Sequence, residues 1–262
     1  MKEIIDIQLF DLGLAFLIML IPISFFLYFR VKIVKSVLIA LSRMILQLGL
    51  IAVYLDKIFE LNSAYLNTAW VFLMISVGVT TAIKRVGLNW RYFVLPLFLS
   101  SLTAVLIIDS FFLGLVIKPD YFFDARYFVP ITGMILGNSL NHNIVGLTTY
   151  FKGLKEKREL YFFILTNTGN SKLAIRPFIN EAVKRGLNPM IATMTVIGLI
   201  SLPGVMTGQI LGGSSPVIAI KYQVMIMLAI FTGSTMNLFL SILFSNRFIF
   251  DKYNRLKKEV LK

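Results

Sequence analysis

The sequence predicts an all-α integral membrane protein of about seven transmembrane helices, with its N-terminus outside, its C-terminus in the cytoplasm and one cytoplasmic coupling segment. Three observations carry that prediction. Of 262 residues, 57% are apolar and 15% are charged, and the mean hydropathy is +0.81. The apolar residues gather in uninterrupted runs that reach the roughly 20 residues needed to cross about 30 Å of hydrocarbon, where a soluble core would show amphipathic period. The charges fall between those runs, and they fall asymmetrically.

In chain order the spans lie near 10–29, 35–55, 64–83, 92–117, 126–151, 189–212 and 217–245. The first has acidic flanks, Glu3, Asp6 and Asp11, with only Lys2 positive and no small-residue cleavage pattern, so it reads as a span and not as a cleaved signal peptide. Arg30, Lys32 and Lys35 follow span one, Lys84, Arg85 and Arg91 follow span three, and eight Lys or Arg follow span five. With the tail's Arg247, Lys252, Arg255, Lys257, Lys258 and Lys262, these segments hold 20 of the 26 basic residues. Lys2, Lys57, Lys118 and Arg126 are all that the opposite side holds. Basic loops stay in the cytoplasm, which orients the chain. The net charge of +13 is therefore topology signal plus attraction to anionic inner-leaflet lipid, and it requires no nucleic acid.

Residues 1–262 read as a single transmembrane permease domain, with a coupling segment at about 152–188 and a basic tail at 246–262. Cysteine is absent, which removes disulfides, zinc clusters and thiol chemistry. There is no Gly-Lys pair anywhere in the chain, so the usual phosphate-cradling loop is missing and any ATP is bound by another subunit. The reading is of a transport subunit and not an enzyme, without catalytic residues or a cofactor of its own.

Within the coupling segment, a charged start at Lys152 to Glu159 leads into the apolar run Leu160 to Leu165, too short to span. Thr166 to Ser171 reads as turn and cap material ahead of an amphipathic helix over about 172–185. The aromatics suit docking into a partner's groove, or they rest in the headgroup region.

Polar groups inside a span are costly and each needs a partner or a task. Arg43 and Gln47 share one face of span two, where Arg43 either snorkels to the interface or faces a pathway. Asn138, Asn141 and His142 form a stripe on span five, while Gly133 and Gly137 make a small-residue seam turned about 100° away. The stripe either faces a cavity or makes interhelical hydrogen bonds. A lone histidine cannot build a metal site, and the metal ligands, if any, stay unknown. Asp109 is the acid well inside a span or near its outer rim, and Gln209 joins the pathway candidates. Gly204, Gly208 and Gly212 recur every four residues beyond Pro203, which predicts a packing seam and a kink or break.

Three runs carry a resemblance: SRMILQLGL (Ser42 to Leu50), ARYFVPITGMILGNSLN (Ala125 to Asn141) and GLISLPGVMTGQILGGSSPVIAIKYQ (Gly198 to Gln223). Together they resemble the FetB or YbbM type of ABC-transporter permease, a family linked to iron export and, through plant relatives, to aluminium tolerance. That resemblance implies a homodimer in the cell membrane bound to two copies of a cytoplasmic FetA-like ATPase, which holds ATP and Mg. It implies export of iron or an iron-related metal or chelate. It also implies that Glu159, Leu165, Thr168, Gly169, Ala174 and Arg176 couple the ATPase to the spans. Glu159 and the Ala174-Ile175-Arg176-Pro177 landmark match the family, whereas Leu165 to Asn170 departs from its Leu-Ala-Leu-Gly-Ala-like stretch. Arg43 suits an anionic chelate or phosphorylated solute better than a naked cation. The rival readings are an ATPase-independent secondary transporter or channel for a small polar or anionic solute, which predicts inverted repeats or a proton-relay carboxylate pair, neither evident, and a membrane scaffold without transport.

Overall fold

The computed structural model describes residues 7–251 and 253–257. Lys2, Glu3, Asp6, Lys252, Lys258 and Lys262 of the predicted flanks and tail lie outside the described residues. Helix dominates, and among the described residues pairing of the β kind is limited to two isolated bridges. Among the described residues five helical stretches are long and apolar enough to cross a membrane: Phe10–Tyr28, Val34–Leu61, Ala64–Val86, Trp90–Ile117 and Pro216–Ile249. The other two predicted spans fall on less apolar helices, described below.

The chain divides into two compact units. One holds the described residues up to Leu61 together with Leu211–Gly213. In it, α1 (Leu9–Phe16), a 3-10 turn (Leu17–Met19) and α2 (Leu20–Tyr28) run on as one apolar stretch, and α3 (Val34–Leu61) follows after a turn in which Arg30 takes a φ of 53°. Apolar side chains such as Phe10, Leu17, Leu27, Leu46 and Val53 are exposed all round these helices. Helices that are apolar on every face belong in lipid, where only intrahelical bonding can satisfy the backbone.

The second unit holds Asn62–Ile210 and the described residues from Ser214 onward. Its helices are α4 (Ala64–Val86), α5 (Trp90–Phe111, prolonged by a π-helical turn Phe112–Ile117), α6 (Ala125–Glu156), α7 (Arg158–Thr168), α8 (Ser171–Val196), α9 (Gly204–Leu211) and α10 (Pro216–Ile249). The sequence marks their ends chemically. Gly87 closes α4 in the left-handed region at φ 78° and donates to Ile83 O. Asn89, Asp124 and Asn170 each cap the following helix by accepting a backbone N–H. Ser215 caps α10, with Pro216 at the first position, where a missing N–H costs nothing.

α5 runs antiparallel to α10, because Ser100 meets Ser241 while Ile108 approaches Gly233. α6 runs in the direction of α10, as the pairs Ser139–Ser234 and Tyr150–Asn246 show. α8 lies antiparallel on α6, and α7 packs on α8. Lipid gives helices no hydrophobic reason to associate, so close approach depends on small residues. Here those residues are Gly146, Gly186 and Gly233. A Cβ on Gly186 would stand 3.1 Å from the His142 carbonyl, and one on Gly146 would stand 2.6 Å from Leu238.

One predicted span is corrected. The stretch 189–212 is not a continuous helix: α8 runs from the coupling segment through Pro177 and Pro189 to Val196, the backbone is irregular to Pro203, and α9 then covers eight residues. Pro203 has no N–H to donate and disfavours helix at Leu202, while Gly198 at φ 85° turns the chain cheaply. The predicted boundary between an amphipathic helix ending near 185 and a span starting at 189 does not exist. Likewise Leu160 to Leu165 are helical within α7, and the turn is confined to Gly169 and Asn170, with Gly169 at φ 63°.

Candidate functional site

Three helices of the second unit carry a polar seam through an apolar interior. On α10, Ser234, Asn237, Ser241 and Ser245 recur at helical spacing and all are buried. Ser100 Oγ of α5 lies 2.7 Å from Ser241 Oγ, and Asn237 exchanges hydrogen bonds with Ser100, Ser101 and Ser241. Ser139 of α6 meets Ser234 at 3.3 Å. Buried polar groups must be bonded, so these pairs both consume and align the three helices.

Besides Ser245, whose buried Oγ has no partner, the seam is unsatisfied in two places. Asn143 of α6 is 6% exposed and its Oδ1 has no partner. It lines a cavity of about 20 Å³ among α4, α5, α6 and α10, together with Ser101, Asn237 and Gly78. That is room for one water, which the three polar side chains would bind. The second place is Asp109 of α5, 2% exposed. Its Oδ2 accepts from Thr132 Oγ1 at 2.6 Å, and its Oδ1 has no partner. This carboxyl is buried in the protein interior.

The predicted stripe on α6 separates by role. Asn138 and Asn141 are exposed, with Gly137 and Val145 on the same side. Asn138 Nδ2 donates back to Met134 O, leaving its carbonyl oxygen free. His142 is half-buried, and its Nδ1 lies 2.8 Å from Gly186 O of α8, which fixes that nitrogen as the donor and leaves Nε2 without a protein partner among the described residues. Farther along, α6 and α8 enclose a groove of about 240 Å³ lined by Thr148, Thr149, Lys152, Glu156, Glu181 and Arg185. Exposed amides therefore lead along one face of α6 toward a charged groove at its basic end.

Arg43 and Gln47 are exposed on α3 in the first unit. Gln209 is half-buried on α9 and Gln223 is buried on α10, each with an unpartnered Oε1. Gly204 and Gly208 face open space, and Gly212 stands in the turn beyond α9. Gly133 has only Met74 Sδ nearby, at 3.8 Å, and Gly137 has nothing within 4 Å. Among the described residues no three His, Asp or Glu side chains converge.

The coupling residues sit on a helical hairpin. Ala174 is fully buried under α7, and Leu165 is half-buried. Glu159, Thr168, Gly169 and Arg176 are exposed, as are the apolar side chains Leu160, Phe163 and Leu173. At this end Lys257 stands over Tyr92 and Tyr161 bonds to Asn254. The α4–α5 connection, the hairpin and the tail, three basic segments, therefore meet at one end of the unit.

Sequence reading missed the seam. The spacing 234, 237, 241, 245 was available as a polar period in an apolar span, and Asn143 adjoins the predicted stripe. Gly146, Gly186 and Gly233 had no signal, since three different helices supply them.

A family model described as "Uncharacterised protein family (UPF0014)" matches residues 9–250. The UPF0014 membrane protein YjkA of Bacillus subtilis is 28% identical over 253 residues, 95% of this chain and 98% of its own. Protein ALUMINUM SENSITIVE 3 of Arabidopsis thaliana is 31% identical over 189 residues, 72% of this chain and 67% of its own. The Escherichia coli protein named "Probable iron export permease protein FetB" is 26% identical over 256 residues, 95% and 96%. No solved structure matches.

Proposed function

The chain belongs to the UPF0014 family, a multi-pass protein of the cell membrane, and from that premise we propose that it is the membrane-spanning subunit of an ABC exporter powered by a separate cytoplasmic ATPase. The observation that carries the reading is the α7–α8 hairpin. It presents Leu160, Phe163 and Leu173 beside Arg176 at the end where the basic segments meet, and 67% of Phe163 is exposed. An apolar, positively charged knob at the cytoplasmic side is what a nucleotide-driven subunit can grip and shift as a rigid body.

In this reading two copies of the chain and two ATPase subunits form the working unit, and ATP and Mg stay in the ATPase. The exported solute is iron or an iron-related metal or chelate, a substrate class brought by the relative named for iron export. The exposed amides Asn138 and Asn141, the free Nε2 of His142 and the unpaired Oδ1 of Asp109 supply oxygen and nitrogen lone pairs suited to a ligated cation. Gln209 is a further polar candidate within the second unit, and Arg43 and Gln47 are polar candidates within the first, Arg43 favouring a chelate of negative charge. Gly133, Gly137, Pro203, Gly204, Gly208 and Gly212 act as hinge and packing positions.

The test is co-purification with the ATPase, followed by reconstitution. Wild-type chain should raise the ATPase rate and load inverted vesicles with iron. Phe163→Asp should abolish the association while leaving thermal unfolding unchanged, since the side chain touches little of the core. Uphill movement driven by an ion gradient in liposomes holding this chain alone would overturn the proposal and favour a secondary transporter.

A further inference from the structure

The tail beyond α10 folds back as a hook. Phe250 is extended and pairs antiparallel with Leu256, and Lys257 N donates to Ile249 O at 3.0 Å. The Asp251 carboxylate holds the bend, accepting from Tyr253 N, Arg255 N and Arg255 Nε at 2.8, 2.8 and 2.9 Å. Asn254 takes the left-handed region at φ 56°, which asparagine tolerates better than most residues.

The hook grips two other elements. Tyr161 Oη of α7 donates to Asn254 O at 2.8 Å, and its ring stacks on Phe250 at 5.7 Å. Lys257 Nζ donates to Phe248 O at 2.7 Å and stands 5.1 Å from the ring centre of Tyr92 on α5. Tyr161 is 3% exposed and is the buried side chain of α7, whose remaining residues are exposed or half-buried. The single deep anchor of the hairpin's first helix is thus held by the tail of α10 as well as by Phe178 of α8.

We infer that the hook, described over 250–251 and 253–257, is a coupling strut, with Tyr161 as a positioning residue that ties movement of α7 directly to α10 and α5. It rests on the exporter reading for its role in transport, although the mechanical link stands on geometry alone. A pull on the hairpin reaches the bundle by two routes: through α8 to α6, and through the hook to α10, which carries Ser234, Asn237 and Ser241. Two attachments constrain rotation as well as translation, so the helices on either side of the polar seam move together.

Asp251→Ala opens the bend without touching the bundle core, and Asp251→Asn retains an acceptor oxygen. Hydrogen exchange of the purified chain is the first readout. Asp251→Ala should speed exchange at least fivefold in residues 158–168 as well as in the tail, with Asp251→Asn closer to wild type. Unchanged exchange in α7 overturns the strut whether or not an ATPase binds. In the reconstituted complex, Asp251→Ala and Tyr161→Ala should retain ATPase stimulation and lose at least fivefold in transport per ATP, while Tyr161→Phe, which keeps the ring stack, loses less. Normal transport per ATP in Tyr161→Ala also overturns it. Failure of the wild-type chain to stimulate any ATPase would strike the exporter reading and leave the exchange result to decide the link.

Discussion

Gly233→Ala places one methyl group where α5, α6 and α10 meet. An ideal Cβ at residue 233 lies 2.8 Å from Ile135 Cγ2 and 3.7 Å from Ile108 Cγ1. Carbon atoms in contact are comfortable from about 3.5 Å, so Ile135 must retreat by roughly 0.6 Å or more. It has little freedom to do so, being 1% exposed and β-branched within a helix, where one χ1 rotamer dominates. Overpacking of this kind costs about 1–3 kcal/mol. Alanine recovers about 1 kcal/mol of helix propensity relative to glycine. The net expectation is a loss of about 0–2 kcal/mol. Ile135→Ala alone opens a cavity and costs about 2–5 kcal/mol. In the double variant the new methyl enters the space that the isoleucine vacates, so its loss falls below the sum of the two by about 1–2 kcal/mol. Reversible unfolding in mixed detergent, followed by fluorescence of Trp70 and Trp90, measures all four corners of the cycle. Additivity within about 0.5 kcal/mol, or a Gly233→Ala variant more stable than wild type, would refute the packing argument.

Gly208→Leu should leave the stability of the isolated chain unchanged, because nothing lies within 4 Å of that Cβ. In native mass spectrometry it should shift the proposed dimer toward monomer, and an intact dimer would show that this face meets lipid. Thr132→Val removes the one hydrogen bond to the Asp109 carboxyl and should cost about 1–3 kcal/mol, with Thr132→Ser nearer neutral; equal losses for both in the same unfolding assay would mean that the hydroxyl contributes nothing. At the start of α6, the Arg126 guanidinium, aided by its backbone N–H, holds the Asp124 carboxyl below its ordinary value of 3.8. A carboxylate with a depressed folded value stabilises the fold above the unfolded value and loses that contribution as pH falls below 3.8 toward the folded value. Melting curves should therefore decline more steeply below that pH in wild type than in Asp124→Asn, and parallel curves would remove the cap from the account.

Membrane class was legible because it depends on composition and run length, which no packing detail can reverse. The turn at Gly169 and Asn170 was legible because local turn and cap chemistry sets it. The break near Pro203 was legible for the same reason. Continuity was not: Pro189 looks like a boundary, yet α8 passes through it, because a single missing N–H is outweighed by packing along α6.

By itself the sequence determined that this chain lives in lipid and roughly where most of its long apolar helices lie. Only the tertiary structure decided which glycines seat one helix on another, that Asp109 is buried against Thr132, that Asn143 opens onto a cavity with Asn237, and that the tail hooks back to Tyr161. The physical reason is reach. Hydropathy and capping act over a few neighbouring residues, whereas a buried hydrogen bond can join residues 141 positions apart, as Ser100 is from Ser241, and depends on which helix faces arrive together.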